Sequence, residues 1–102
     1  MTAMTKKNVA TKSWLENVPQ DKVFWCYDGR VVRNMNELAA ALREMSEETF
    51  HYHATGEKND FSNWVRDVIG DATLANQLQK AANSAASARK VELRLAWLKQ
   101  RL

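Results

Sequence analysis

A chain of 102 residues is one domain's worth of protein, long enough to bury a modest core without disulfides and too short for two such cores. Its 14 Ala against one Ile, with three Gly and one Pro, is the balance of a helical chain rather than an all-β one; the single cysteine, Cys26, excludes a disulfide scaffold and a cysteine-built zinc module. The formal charge of +3 is spread as +3 over residues 1–35, −5 over 36–72 and +5 over 73–102, which suits internal charge balance or a basic C-terminal helix offered to a partner.

Residues 1–12 hold almost no large apolar side chain and are read as a flexible basic tail. They lack the apolar stretch of a secretory signal, and no run reaches the roughly 18–20 apolar residues of a membrane span, so a cytoplasmic protein with no membrane partner is expected. Residues 13–102 are read as a single helical domain. Ser13 and Glu16 have capping-box spacing and Pro19 blocks continuation, which predicts a short helix over about 14–18. VFWCYDGRVV then predicts one hairpin at about 23–33. Asp28-Gly29 suits a two-residue type I′ turn, pairing Tyr27 with Arg30, Cys26 with Val31 and Trp25 with Val32. Alternation puts Val23, Trp25 and Tyr27 on one face and Phe24 and Cys26 on the other, and a lone hairpin must lie against helices.

From Asn36 the period is helical. Asn36 is the expected N-cap of ELAAALREM, with Leu38, Leu42 and Met45 inward; Ser46 starts a second helix with Glu47 and Glu48 in its first turn, and Gly56 is the expected stop. Asp60 is expected to cap FSNWVRDVI, in which Phe61, Trp64, Val65 and Val68 share a face, with Gly70 as the C′ residue. Asp71 caps TLANQLQKAA, with Leu74, Ala75, Leu78 and Ala82 inward, and a last helix runs from about Ser87 to the end. The expected fold is mainly α: a small irregular helical domain of about five helices with one N-terminal β-hairpin.

On the last helix Val91, Leu95, Leu98 and Leu102 form a narrow apolar stripe, for the core or for weak self-association. Lys90, Arg94, Trp97 and Arg101 form a second stripe beside it. Three cations around an aromatic suit backbone phosphates and stacked bases; the plainer use is cationic stems packed over a tryptophan at the edge of the core. His51 and His53 point about 200° apart on a helix, so a metal would need Cys26 or Asp60 brought near by the fold, and neither metal nor cofactor is expected. His53, Asp60 and Ser62 are hydrolase residue types with no spacing that enforces the geometry, no G-x-S-x-G or P-loop is present, and no enzyme activity is expected. Trp14, Trp25 and Trp64 are assigned to an aromatic core.

The segments VFWCYDGRVVRNMNELAAALREM, ETFHYHA and NDFSNWVRDVIGD, followed by Leu74-Ala75, resemble a family of small archaeal and bacterial proteins known as domain of unknown function 5752, over about residues 22–102. The resemblance implies a compact, mostly helical domain with no established reaction and no cofactor. It singles out His53, Asn59, Asp60, Phe61 and Trp64 as a structural set, in which the Asp60 cap and Trp64 fix one helix and His53 makes a buried hydrogen bond to the connecting loop. The functional expectation is a non-enzymatic interaction module, monomeric or weakly homo-oligomeric, that binds a protein partner. The alternative is a small basic nucleic-acid- or ribosome-associated protein using Lys90, Arg94, Trp97 and Arg101, with Lys6, Lys7 and Lys12 adding attraction.

Overall fold

The computed structural model describes residues 13–102, so the tail expected over 1–12 lies outside the described residues. In chain order come a 3₁₀ turn at Gln20–Lys22, strands β1 (Phe24–Trp25) and β2 (Val31–Val32), and helices α1 (Met35–Glu44), α2 (Glu47–His53), α3 (Asp60–Trp64), α4 (Ala72–Gln79) and α5 (Ser84–Lys99). Val65–Ile69 continues α3 as a π-helical turn. The protein is therefore mainly helical, with five α-helices and one antiparallel hairpin among the described residues.

The long helices α1 and α5 pair most extensively. Leu38, Leu42, Val91, Leu95 and Leu98 are buried along them, and the small residues Ala41, Ser87 and Ala88, buried as well, allow close approach of the two backbones. The second half of the core is aromatic. Phe24 of β1 packs against Phe61, at 5.3 Å between ring centroids, and Trp64, at 6.0 Å, while Phe50 of α2 stacks on Phe61 at 5.7 Å.

Several local expectations are corrected. Residues 14–18 form no helix: Ser13 is helical, a turn over 14–16 follows it with the Glu16 N–H on the Ser13 carbonyl, and the Val18 N–H donates to the Arg33 carbonyl beyond β2, a tertiary bond that an extended residue before Pro19 can reach. The hairpin register is Phe24 with Val32 and Trp25 with Val31, one residue from the expected pairing. Its loop has three residues, because only Gly29 takes positive φ, at 95°, and the Gly29 N–H closes a turn onto the Cys26 carbonyl. Burial decides the register: Val32 is fully buried, so its cross-strand partner must be buried Phe24 and not Trp25, which is 68% exposed and outside the core.

Asn34, not Asn36, caps α1, accepting from the Glu37 N–H, while the Glu37 carboxylate accepts from the Arg33 N–H. Helix α2 stops at His53, before Gly56. In the π-helical turn Ile69 is buried and Val68 only half-buried. Ala82 is exposed beyond the end of α4. Helix α5 begins three residues before Ser87, capped by Asn83 through the Ala86 N–H, and ends at Lys99, which leaves Leu102 exposed outside the apolar stripe. No helix among the described residues is long and apolar enough to cross a membrane.

Gly70 sits where expected, at φ 98°, and a Cβ there would also meet the Trp14 indole at 3.4 Å; Gly56 has open space and no positive φ. Gly70→Ala is expected to lower stability by about 1–2 kcal/mol, the cost of a left-handed L-residue, and Gly56→Ala by less than about 0.5 kcal/mol, as read from urea unfolding midpoints.

Candidate functional site

His53 is the last residue of α2 and lies between three elements, buried against the rings of Phe24, Tyr52 and Phe61 at 5.0–5.3 Å. Both ring nitrogens are used. Nε2 accepts the Tyr27 N–H at 2.9 Å, and Nδ1 lies 3.0 Å from Asp60 Oδ2. An acceptor nitrogen carries no proton, so the geometry fixes a neutral imidazole whose Nδ1–H donates to the carboxylate. The same oxygen accepts from Lys58 Nζ at 3.0 Å.

Asp60 is therefore not the cap of α3. That role belongs to Asn59, whose Oδ1 accepts from the Ser62 N–H at 3.0 Å while its Nδ2 donates to the Leu78 carbonyl at 3.1 Å. An aspartate could make the first bond but has no N–H for the second, so the tie to α4 selects asparagine at the cap. Asp60 occupies the first turn, where the helix dipole favours an anion, and turns its oxygen to His53 and Lys58. Phe61 and Trp64 are buried, and the Trp64 indole N–H donates to the Lys22 carbonyl at 2.8 Å. Ser62 Oγ donates to the Ala75 carbonyl at 2.7 Å and accepts from Arg66, so the structure joins His53 to Asp60 but sends Ser62 elsewhere. Among the described residues no group of three or more His, Cys, Asp or Glu could hold a metal ion.

The C-terminal stripe divides in two. Asp71, fully buried, caps α4 through the Leu74 N–H, and its carboxylate takes a two-point contact from Arg94, Nε at 2.7 Å and Nη2 at 3.0 Å. The Arg94 side chain is only 13% exposed and lies over the rings of Trp14, at 5.8 Å, and Trp97, at 4.3 Å. Its charge is thus compensated inside the fold. Arg101 covers Trp97 at 3.7 Å. Lys90 is exposed and lines a cleft of about 300 Å³ with Gln77, Leu93, Arg94 and Trp97. Charge spacing along the chain pointed to balance between the acidic and basic blocks. Nothing in the helical period separates Arg94 from Lys90, because the buried acceptor comes from another helix. Arg43 and Glu92 form a more exposed ion pair, between α1 and α5.

Three exposed aromatic side chains lie on the hairpin and on α2, and one of them, Trp25, is at the surface and not in the expected aromatic core. Trp25, Tyr27 and Tyr52 are 68%, 53% and 55% exposed, and Tyr27 stacks on Tyr52 at 4.4 Å with the ring planes 23° apart. The signal was present: a two-stranded hairpin cannot bury both faces against one layer of helices, and the face of Phe24 and Cys26 is the one buried. Burial, with the Asp28 carboxylate adding to it and Arg30 opposing it, pushes the Cys26 thiol up to about 11 and so keeps it in its unreactive protonated form.

A family model described as a family of unknown function (DUF5752) matches residues 17–99, and the chain belongs to that family. No curated protein and no solved structure is matched by this chain.

Removing the Arg94 guanidinium leaves the Asp71 carboxylate buried and unpaired. Arg94→Ala is expected to cost about 3–5 kcal/mol in urea unfolding, whereas Lys90→Ala, one helical turn away, is expected to change stability by less than about 0.5 kcal/mol.

Proposed function

We propose that this domain is a non-enzymatic interaction module of the cytoplasm that binds a protein partner through the outer face of its hairpin. The exposure of Trp25 and of the stacked pair Tyr27 and Tyr52 carries the reading. Large aromatic side chains cost solvation when left in water, and Trp and Tyr are the residues that most often anchor protein interfaces, since they offer much contact area with few rotatable bonds. Here the stacking of Tyr27 on Tyr52 holds two of them rigid, so little ordering is left for a partner to impose. The side chains with reactive chemistry support the same reading by their engagement elsewhere. His53 spends both nitrogens on the scaffold, and the Asp71 carboxylate is consumed by Arg94 and a helix cap.

A second reading, nucleic-acid binding through α5, is favoured by the exposed edge of Trp97 beside Lys90 and Arg101. It is weakened by the pairing of Arg94 with Asp71, which leaves two uncompensated cations on that face. Two phosphate contacts to a single strand correspond to a salt slope of only about −1.4 in log K against log salt.

The two readings separate by photo-crosslinking in the native cell. A crosslinking residue at Glu48, one helical turn from Tyr52, is expected to yield nuclease-resistant protein adducts of defined mass that disappear in a Trp25→Ala/Tyr52→Ala background. Absence of adducts at position 48, with nuclease-sensitive adducts from a crosslinker at Leu93, overturns the first reading in favour of the second.

A further inference from the structure

We propose that His53 is a proton-operated latch on the hairpin tip: protonation of its Nε2 releases residues 26–30 from the helices and leaves the rest of the fold in place. The proposal rests on the geometry around the imidazole and holds whichever partner the domain binds.

The tip is tied to the helices at few points. Within it the Cys26 N–H donates to the Arg30 carbonyl, the Gly29 N–H to the Cys26 carbonyl and the Arg30 N–H to the Asp28 carboxylate, all local bonds. Two polar contacts reach from the tip to the helices among the described residues. One is the Tyr27 N–H on His53 Nε2 at 2.9 Å; the other is the Arg30–Glu44 ion pair at 2.6 Å, which is exposed and worth little in water. The base of the hairpin has its own anchors, namely buried Phe24 and Val32 and the bond from the Val18 N–H to the Arg33 carbonyl. The tip can therefore leave while the base stays.

The Tyr27 bond exists only while Nε2 is bare. A proton there turns the acceptor into a donor and sets two N–H groups against each other, in a pocket walled by the rings of Phe24, Tyr52 and Phe61. Once the tip is released, Nε2–H reaches water, and the imidazolium keeps its Nδ1–H on the Asp60 carboxylate 3.0 Å away, which favours the cation. Lys58 on the same oxygen opposes it, weakly, because its side chain is half-exposed and screened. The remaining neighbours bring no charge to the ring between about pH 5 and 8. From the hairpin come Phe24, the Tyr27 amide and the buried thiol of Cys26, while Asp28 is turned to the Arg30 N–H. From α2 comes Tyr52, and exposed His51 is engaged with the Glu47 carbonyl through Nδ1. From α3 comes Phe61 beside Asp60.

The released state thus holds one proton that the docked state refuses. Docking is complete at high pH and is lost as pH falls through the range in which histidine takes up its proton, about pH 8 to 5. Release parts Tyr27 from Tyr52, now stacked at 4.4 Å, and uncovers Cys26.

Cys26 is the single cysteine of the chain and reports the opening directly. The full chain is reacted with 4,4′-dithiodipyridine, which takes thiols in acid as well as neutral solution, and the rate at each pH is divided by that of the chain unfolded in urea. The ratio is expected to rise about tenfold or more between about pH 7.5 and 5, with far-UV circular dichroism constant throughout. His51→Gln is expected to leave that rise unchanged. His53→Gln is expected to abolish it, since an amide oxygen accepts the Tyr27 N–H and takes up no proton. Asp60→Asn, which keeps the ring in place, is expected to move the rise to lower pH. A ratio that stays flat across this range overturns the inference. So does a rise unchanged in both His53→Gln and Asp60→Asn, or one that coincides with loss of helical signal, which marks general unfolding and not release of the tip.

Discussion

One imidazole holds the architecture's two unlike parts together. The hairpin is too short to be stable alone, and its orientation on the helices is set where the Tyr27 N–H meets His53 Nε2. That acceptor is available because Nδ1 keeps the proton, and Nδ1 keeps it because Asp60 lies 3.0 Å away at the start of α3. Strand, α2 and α3 are thereby joined through a single ring in a largely apolar setting, where an unsatisfied nitrogen or amide would cost on the order of 1–3 kcal/mol. The consequence reaches the surface. Tyr52 is the residue before His53, and Tyr27 is the residue whose amide His53 accepts, so the ring that anchors the hairpin also brings the two exposed tyrosines into their stack.

A second polar contact plays the corresponding part between α4 and α5. Asp71 sits in the connection after the π-helical turn, where Gly70 reverses the chain, and Arg94 reaches it from α5. A fully buried carboxylate is tolerable only with this two-point partner and the Leu74 amide, so α4 and α5 are held in one relative position. The indoles of Trp14 and Trp97 flank the same guanidinium. The groups that would attract attention in a search for chemistry are therefore the ones the fold consumes, and its outward-facing aromatic side chains remain for recognition.

Much of this was legible in the order of residues. Helical period placed α1, α2 and α4 within a few residues, Gly70 marked the end of the third helix, and strand alternation sorted Phe24 and Cys26 from Trp25 and Tyr27. The failures share a cause. Asn59 and Asp60 are both good caps, and only a carbonyl on α4 chooses between them. Asp28-Gly29 suits a two-residue turn, and only the burial of Val32 shifts the pairing. Asn34 did carry a local signal, Glu37 three residues later, that outweighs Asn36. Arg94 looked like Lys90 because a helix period records which residues share a face, not which of them find a buried partner across the fold.

The most direct measurement of the central claim is the tautomer of His53 in the native protein, read from its imidazole ¹⁵N resonances together with hydrogen exchange at the Tyr27 amide. The account predicts a proton on Nδ1, a bare Nε2 and a Tyr27 N–H protected to the level of the core helices. A proton on Nε2, with the Tyr27 amide exchanging as fast as those of the hairpin turn, would contradict it.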